Sequence, residues 1–299
     1  MTRTHPAAAE TPTTAQHALR FPNGERLLLG GACRARVMGI LNITPDSFSD
    51  GGRFFDADRA VAQAERMAEE GADLIDVGGE STRPGSDPVS AEEEARRIIP
   101  VIERVVARTK VPVSVDTTRA TTAEKALDAG AQMVNDVSAL RADARMGPLV
   151  AERGAPVALM HMLGTPKTMQ TNPTYDDVVS DIRTFLAGRV AAAEAFGIPR
   201  EQIVIDPGFG FGKTLEHNLE LLRRLDEFAE LRLPVMIGTS RKSMLGRILD
   251  AAPDERVNGT SATTAVAVER GAVMVRVHDV RPALDVVKVM AAVQGRAWS

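Results

Sequence analysis

The chain is 299 residues long, 44% hydrophobic and 25% charged, with a formal net charge of −4 at pH 7. These are globular values; the acidic balance argues against a nucleic-acid surface, and 4% aromatic content leaves few rings for stacking bases. No apolar run approaches the ~18 residues that span a bilayer, so no membrane partner is expected.

Taken from the start, residues 1–20 are rich in Ala, Thr and Pro and lack the apolar core of an export signal. They read as a disordered tail, with one domain over residues 21–299. Pro22 to Gly31 places turn residues around a short apolar run and reads as a small hairpin. Cys33 is the only cysteine. It forbids an internal disulfide and suits a reducing compartment, so a cytoplasmic location is expected.

From Val37 onward, β-rich runs alternate with helical patterns. The strands are predicted over 36–43, 73–78, 111–116, 132–137, 156–161, 203–206, 234–239 and 272–277. Between them, Ala60, Val61, Ala64, Met67 and Ala68 line one helix face, and Ser90 with Glu93 and Thr121 with Glu124 are predicted capping boxes. Another helix is expected from about Tyr175 to Phe196, and another from Thr214, with Leu215, Leu219, Leu222 and Leu225 in one stripe, to near Leu231. Eight βα units without a linker between them predict an α/β fold, a single (β/α)8 TIM barrel with a disordered N-terminal tail and a small N-terminal hairpin. The hairpin would cover the barrel floor. A doubly wound sheet is the alternative, but no nucleotide fingerprint supports it.

Barrels place their chemistry at the C-terminal strand ends. Here those ends carry Asn42, then Glu80 to Arg83, Asp116, Asn135 with Asp136, His161, Asp206, Ser240 to Lys242, and Arg276 to Asp279. A single such residue is more often a loop cap than a ligand contact; a polar group at every end is harder to read that way. Asp116, Asn135 and Asp206 close apolar strands, where a lone carboxylate is penalised. A ligand edge rich in N–H donors, such as a 2-amino-4-oxo pterin or a guanine, would satisfy them, with Lys242 as a complementary donor. The plainer alternative is a structural salt-bridge network in which Lys242 or Arg241 pairs with Asp206.

Arg276 and His278 alternate and therefore share one strand face, a pairing suited to phosphate. Asn42 offers an oxygen of the kind Mg²⁺ prefers, a weak signal from one amide. The run DPGFGFGKT from Asp206 to Thr214 is not a P-loop, because Pro207 stands where that pattern needs glycine. Its glycines are expected to let the backbone pass close to a flat ligand, with Phe209 or Phe211 as a wall. His217, Tyr175 and Trp298 are read as surface or packing residues.

Together, MGILNITPDSFSDGG, DVGGESTRPG, VSVDTT, MVNDVSAL, ALMHMLGTPKTMQ, IDPGFGFGK, GTSRKSMLG and VRVHDV closely resemble the dihydropteroate synthases, from about Arg36 to the C-terminus. The resemblance implies a transferase of folate biosynthesis. It joins p-aminobenzoate to 6-hydroxymethyl-7,8-dihydropterin pyrophosphate and releases pyrophosphate, using Mg²⁺, and it is a sulfonamide target. Carried over motif by motif, Asn42 is the Mg²⁺ contact and Asp116, Asn135, Asp206, Lys242 and Thr82 bind the pterin. Arg276, His278, Asn42 and Arg83 bind pyrophosphate. Thr82, Arg83, Pro84, Phe48, Phe211 and Ser240 surround p-aminobenzoate. Arg276, His278, Lys242 and Asn42 would carry the catalysis, and a homodimer is expected.

Two loops, Pro45 to Phe55 and Ser81 to Ser90, are expected to be mobile until ligand orders them. Leu163 departs from an expected glutamine, and residues 258–264 carry no assigned contact. A methyltetrahydrofolate-dependent methyltransferase barrel would share the Asp/Asn/Asp pocket but lack STRPG, SRK and RVH. A non-catalytic pterin-binding paralogue would have lost one of Asn42, Arg83, Lys242, Arg276 or His278, and a phosphosugar barrel is a remote third case.

Overall fold

In a computed structural model of the chain, residues 15–43, 53–81, 89–165 and 167–298 are described, without the side chains of 53–56. The two loops expected to be mobile lie largely outside these residues. Strands β1 (His17–Arg20) and β2 (Arg26–Leu29) pair antiparallel as a hairpin. The hairpin starts before the predicted end of the tail, so that boundary is corrected: residues 17–20 are β1.

The remaining strands are β3 (Arg36–Asn42), β4 (Leu74–Gly78), β5 (Val113–Asp116), β6 (Met133–Asp136), β7 (Val157–Met160), β8 (Ile203–Asp206), β9 (Met236–Ile237) and β10 (Met274–Val277). They form one sheet of eight strands in the order β8-β7-β6-β5-β4-β3-β10-β9, parallel throughout. Its two ends meet through a parallel bridge between Ile205 and Val235, where the Ile205 N–H donates to Pro234 O at 3.0 Å. The predicted barrel is therefore the observed one, with most strands shorter at their ends than the apolar runs suggest.

The helices between strands are α1 (Arg53–Glu69), α2 (Ala91–Arg108), α3 (Ala120–Asp128), α4 (Met146–Arg153), α5 (Val178–Ala195), α6 (Leu215–Arg223), α7 (Ser243–Leu249), α8 (Val257–Glu269) and α9 (Val280–Val293). They bury apolar stripes against the outer sheet face, as Ala60, Val61, Ala64 and Met67 do from α1 and Ile98, Val101, Ile102 and Val105 from α2. Among the described residues, no helix is long and apolar enough to cross a membrane.

Two predicted caps need correction. Ser90 Oγ accepts from Glu93 N–H at 3.2 Å, but the Glu93 carboxylate turns to Arg96 and Arg97, so only half the box forms. Thr121 lies inside α3, whose N-cap is Arg119 with no side-chain cap. The Ala120 N–H at that helix start donates instead to Asp143, at 3.0 Å, from beyond β6. The helix predicted from Thr214 to Leu231 is α6 followed by a 3-10 segment, Leu225–Leu231. Its cap is a box between Thr214 and His217, which gives His217 a structural task.

Inside the barrel the lower layer is apolar. Met38, Leu74, Met133, Ala158, Val204, Met236 and Met274 form one cluster with Leu19, Phe21, Leu27 and Leu29 of the hairpin region. The hairpin thus plugs the floor, as expected. Two residues further along several strands the interior turns polar, and the site begins there.

Candidate active site

A chain of polar side chains crosses the barrel's C-terminal end. Arg276 on β10 donates through Nε to Asp76 Oδ2 at 2.6 Å and through Nη2 to Asp116 Oδ2 at 2.7 Å. Asp76 Oδ2 also accepts from Asn135 Nδ2 at 2.8 Å. Asp206 Oδ1 accepts from Gly208 N–H at 2.7 Å, which turns the chain after β8. Among the described residues, no donor reaches the second oxygen of Asp116, the Asn135 Oδ1 or the second oxygen of Asp206. Those acceptors are what the polar layer has to offer a ligand.

Electrostatics follow from burial. Asp116, its side chain 10% exposed, is pushed up to about 7 by burial, with the Arg276 charge opposing and the Asp76, Glu94 and Asp136 carboxylates adding. Burial likewise raises Asp206, against the Gly208 N–H and the Lys242 charge. Lys242 is drawn down to about 8, by burial first and then by Arg276. Its ammonium sits 3.9 Å from the centroid of the Phe211 ring, a cation–π contact.

His278 is held at about 3 by burial and by the charges of Arg276 and Arg241, so it is neutral at pH 7. Ser240 Oγ accepts the His278 backbone N–H at 3.1 Å and lies 3.0 Å from His278 Nδ1. Donation of the Ser240 hydroxyl to Nδ1 satisfies both groups and leaves Nε2 carrying the proton. The ring is then a neutral hydrogen-bond donor.

Asn42 ends β3, partly exposed. A Cβ built on Gly78 would lie 3.7 Å from Asn42 Oδ1 and 3.4 Å from the Asp116 Cβ. Gly78 therefore keeps the two side chains as near neighbours at the rim. A cavity of about 290 Å³ opens beside Asp116, lined among others by Val137, Ser138, Met162, Arg141 and Glu94.

Other polar strand ends do structural work. Asp136 accepts from Ser138 N–H, Ser138 Oγ and Leu140 N–H, and so shapes the turn after β6. Arg241 pairs bidentately with Asp279, at 2.6 and 3.0 Å, and not with Asp206. Lys213 is buried and donates to Gly208 O at 2.8 Å and Phe211 O at 3.0 Å, with His161 Nδ1 at 3.0 Å. It ties the glycine-rich loop down rather than opening a phosphate cradle. Gly208 has a φ of +72°, and a Cβ there would fall 1.9 Å from His161 O. The glycines thus allow close approach to the end of β7, and Phe209 goes into the core, 1% exposed, which corrects its candidacy as a ligand wall.

The family model described as pterin binding enzyme matches residues 38–278. The dihydropteroate synthase of Haemophilus influenzae is 46% identical over 257 residues, covering 86% of this chain and 93% of that one. This chain belongs to the dihydropteroate synthase family. Among solved structures, a Xanthomonas albilineans dihydropteroate synthase with 4-aminobenzoic acid superposes with TM-score 0.87 at 48% identity, over 95% of this chain and 100% of that one. The enzyme from the same organism in complex with 7,8-dihydropteroate gives 0.84 at 46% identity, over 94% and 100%.

Of the predicted dihydropteroate synthase residues, Asp116, Asn135, Asp206, Lys242, Arg276, His278, Ser240, Phe211 and Asn42 all stand at this end of the barrel. Phe48, Thr82, Arg83 and Pro84 lie outside the described residues. Sequence reasoning missed Asp76, which is fully buried. Its signal was an acidic residue in the middle of an apolar strand, in phase with the inward face. It also missed buried Glu94, which takes Arg119 at 3.1 Å and the Thr122 hydroxyl at 2.8 Å.

Proposed function

We propose that the chain catalyses dihydropteroate synthesis with the side chains gathered across the top of its barrel. The observation that carries this reading is the set of acceptors left on Asp116, Asn135 and Asp206, which complements the N–H edge of a reduced pterin. Lys242 adds a donor for the pterin's acceptor atoms, above the Phe211 ring.

In the reaction, the arylamine nitrogen of p-aminobenzoate forms a bond to the exocyclic methylene carbon of 6-hydroxymethyl-7,8-dihydropterin pyrophosphate. The C–O bond to pyrophosphate breaks, and the amine proton passes to solvent. Arg276 stabilises the charge growing on the leaving group. Its Nε and Nη2 are held by two carboxylates, and Nη1 has no hydrogen bond among the described residues. His278 supplies a neutral donor from Nε2. A neutral aniline nitrogen needs no strong base, in keeping with a site whose carboxylates are committed to binding.

Among the described residues no group of three or more His, Cys, Asp or Glu is arranged to hold a metal. A single amide oxygen on Asn42 nevertheless fits Mg²⁺, which takes oxygen ligands and keeps waters and substrate phosphates as the others. Asn42 would hold the ion against the pyrophosphate, and when bound it supplies positive charge to the leaving group. Arg83, Thr82, Pro84 and Phe48 are assigned to p-aminobenzoate and the anion on the sequence alone.

A homodimer belongs to the same proposal: Val266 of α8 and Val289 and Val293 of α9 are 42%, 62% and 74% exposed on neighbouring helices, an apolar face for a second copy. So does a cytoplasmic location, supported by the single cysteine, Cys33. The test is to incubate the purified protein with the pterin pyrophosphate, p-aminobenzoate and Mg²⁺. Dihydropteroate and pyrophosphate should appear in equal amounts; pterin binding without product would refute the catalytic assignment.

A further inference from the structure

We propose that Asp76 is a positioning residue that sets two site side chains from one atom, and this rests on the functional reading above. Asp76 lies on β4 between Ile40 of β3 and Ser114 of β5 and has no exposed surface. Its Oδ2 accepts from both Arg276 Nε, at 2.6 Å, and Asn135 Nδ2, at 2.8 Å, while Oδ1 has no partner among the described residues.

Each contact removes a specific ambiguity. The two ends of a carboxamide are alike in shape, so Asn135 faces a ligand with oxygen or with N–H according to what stands behind it. A carboxylate behind it takes the N–H and turns the oxygen forward. Reversed, the amide would present N–H to a pterin edge itself made of N–H donors. Asp116 already holds one end of the Arg276 fork, through Nη2 at 2.7 Å. What Asp76 adds is a second point of attachment. With Nε and Nη2 both held, rotation of the guanidinium is fixed and Nη1 is presented in one direction.

The two tasks separate in a pair of variants, the single Asp76→Asn and the exchange that combines Asp76→Asn with Asn135→Asp. In the first, neither amide has an anion to orient it, and the acceptor facing Arg276 Nε loses its charge. Affinity for 6-hydroxymethylpterin, measured by calorimetry, should fall at least ~10-fold, and kcat at least ~10-fold. In the exchange, the carboxylate introduced at position 135 offers oxygen whichever way it turns. Pterin affinity should return to within about 3-fold of wild type while kcat stays low, because the Nε anion is still missing. A purely structural role for Asp76 would not produce that division.

Wild-type affinity and kcat in Asp76→Asn would overturn the inference alone, as would an exchange that restores neither quantity or both. If Asp76→Asn does not fold, the exchange is judged by itself on the same split. A wild-type chain that binds no pterin overturns the functional reading, and this inference with it.

Discussion

Burial raises the Asp116 carboxyl from 3.8 to about 7, so in the folded chain it is protonated below that pH and ionised above. The folded chain keeps a proton that the unfolded chain gives up between 3.8 and about 7, so through this group stability declines as pH rises across that window. Pterin recognition runs the other way, because only the ionised group is acceptor-only. Pterin affinity should therefore fall as pH drops through 7, and Asp116→Asn should flatten that dependence; a flat wild-type profile by calorimetry would show the carboxyl is not part of the recognition. Arg276→Lys keeps the charge but removes the fork between Asp76 and Asp116, and turnover should drop more than ~10-fold, about 1.4 kcal/mol in barrier. Near wild-type steady-state kinetics would place the phosphate elsewhere. Asp116, Asn135, Asp206, Arg276 and His278 are legible in the sequence because a polar group closing an apolar strand stands out. Asp136 and Asp279 stand out equally and are committed to a turn and to Arg241, a difference of direction that sequence does not encode.

Among the elements, strands are legible because an apolar run buried on both faces is a local property. The start of α3 is not, because Asp143 supplies its cap from far along the chain. The hairpin joins the barrel by burial: Leu19, Phe21 and Leu29 are nearly or wholly buried in the floor. Leu29→Ala should lower the unfolding free energy by about 2–5 kcal/mol, measured by denaturant titration. The folded variant should keep wild-type kcat, since the floor lies below the polar layer. An unchanged midpoint would mean the hairpin merely rests on the barrel.

At the scale of the whole molecule, the alternation of strand and helix predicts the barrel, and the barrel alone brings Asp76, Asp116, Asn135 and Arg276, up to 200 residues apart, onto one network. The proposed homodimer, and the two loops expected from the sequence to carry Phe48, Thr82, Arg83 and Pro84, belong to this scale as well. If those loops complete the p-aminobenzoate subsite only over a bound anion, its affinity should rise at least ~10-fold in the presence of pyrophosphate, Mg²⁺ and a pterin, a coupling of roughly 1.4 kcal/mol. Equal affinities with and without them would show a preformed subsite.

If the acceptors at the barrel's upper end recognise a pterin, removing one of them must weaken its binding. Calorimetry of pterin binding to wild type and to Asp206→Ala measures this most directly. A loss of at least ~2 kcal/mol is expected, because ligand N–H groups are left unpaired in a buried pocket. Unchanged affinity in a folded Asp206→Ala variant would contradict pterin recognition by these groups.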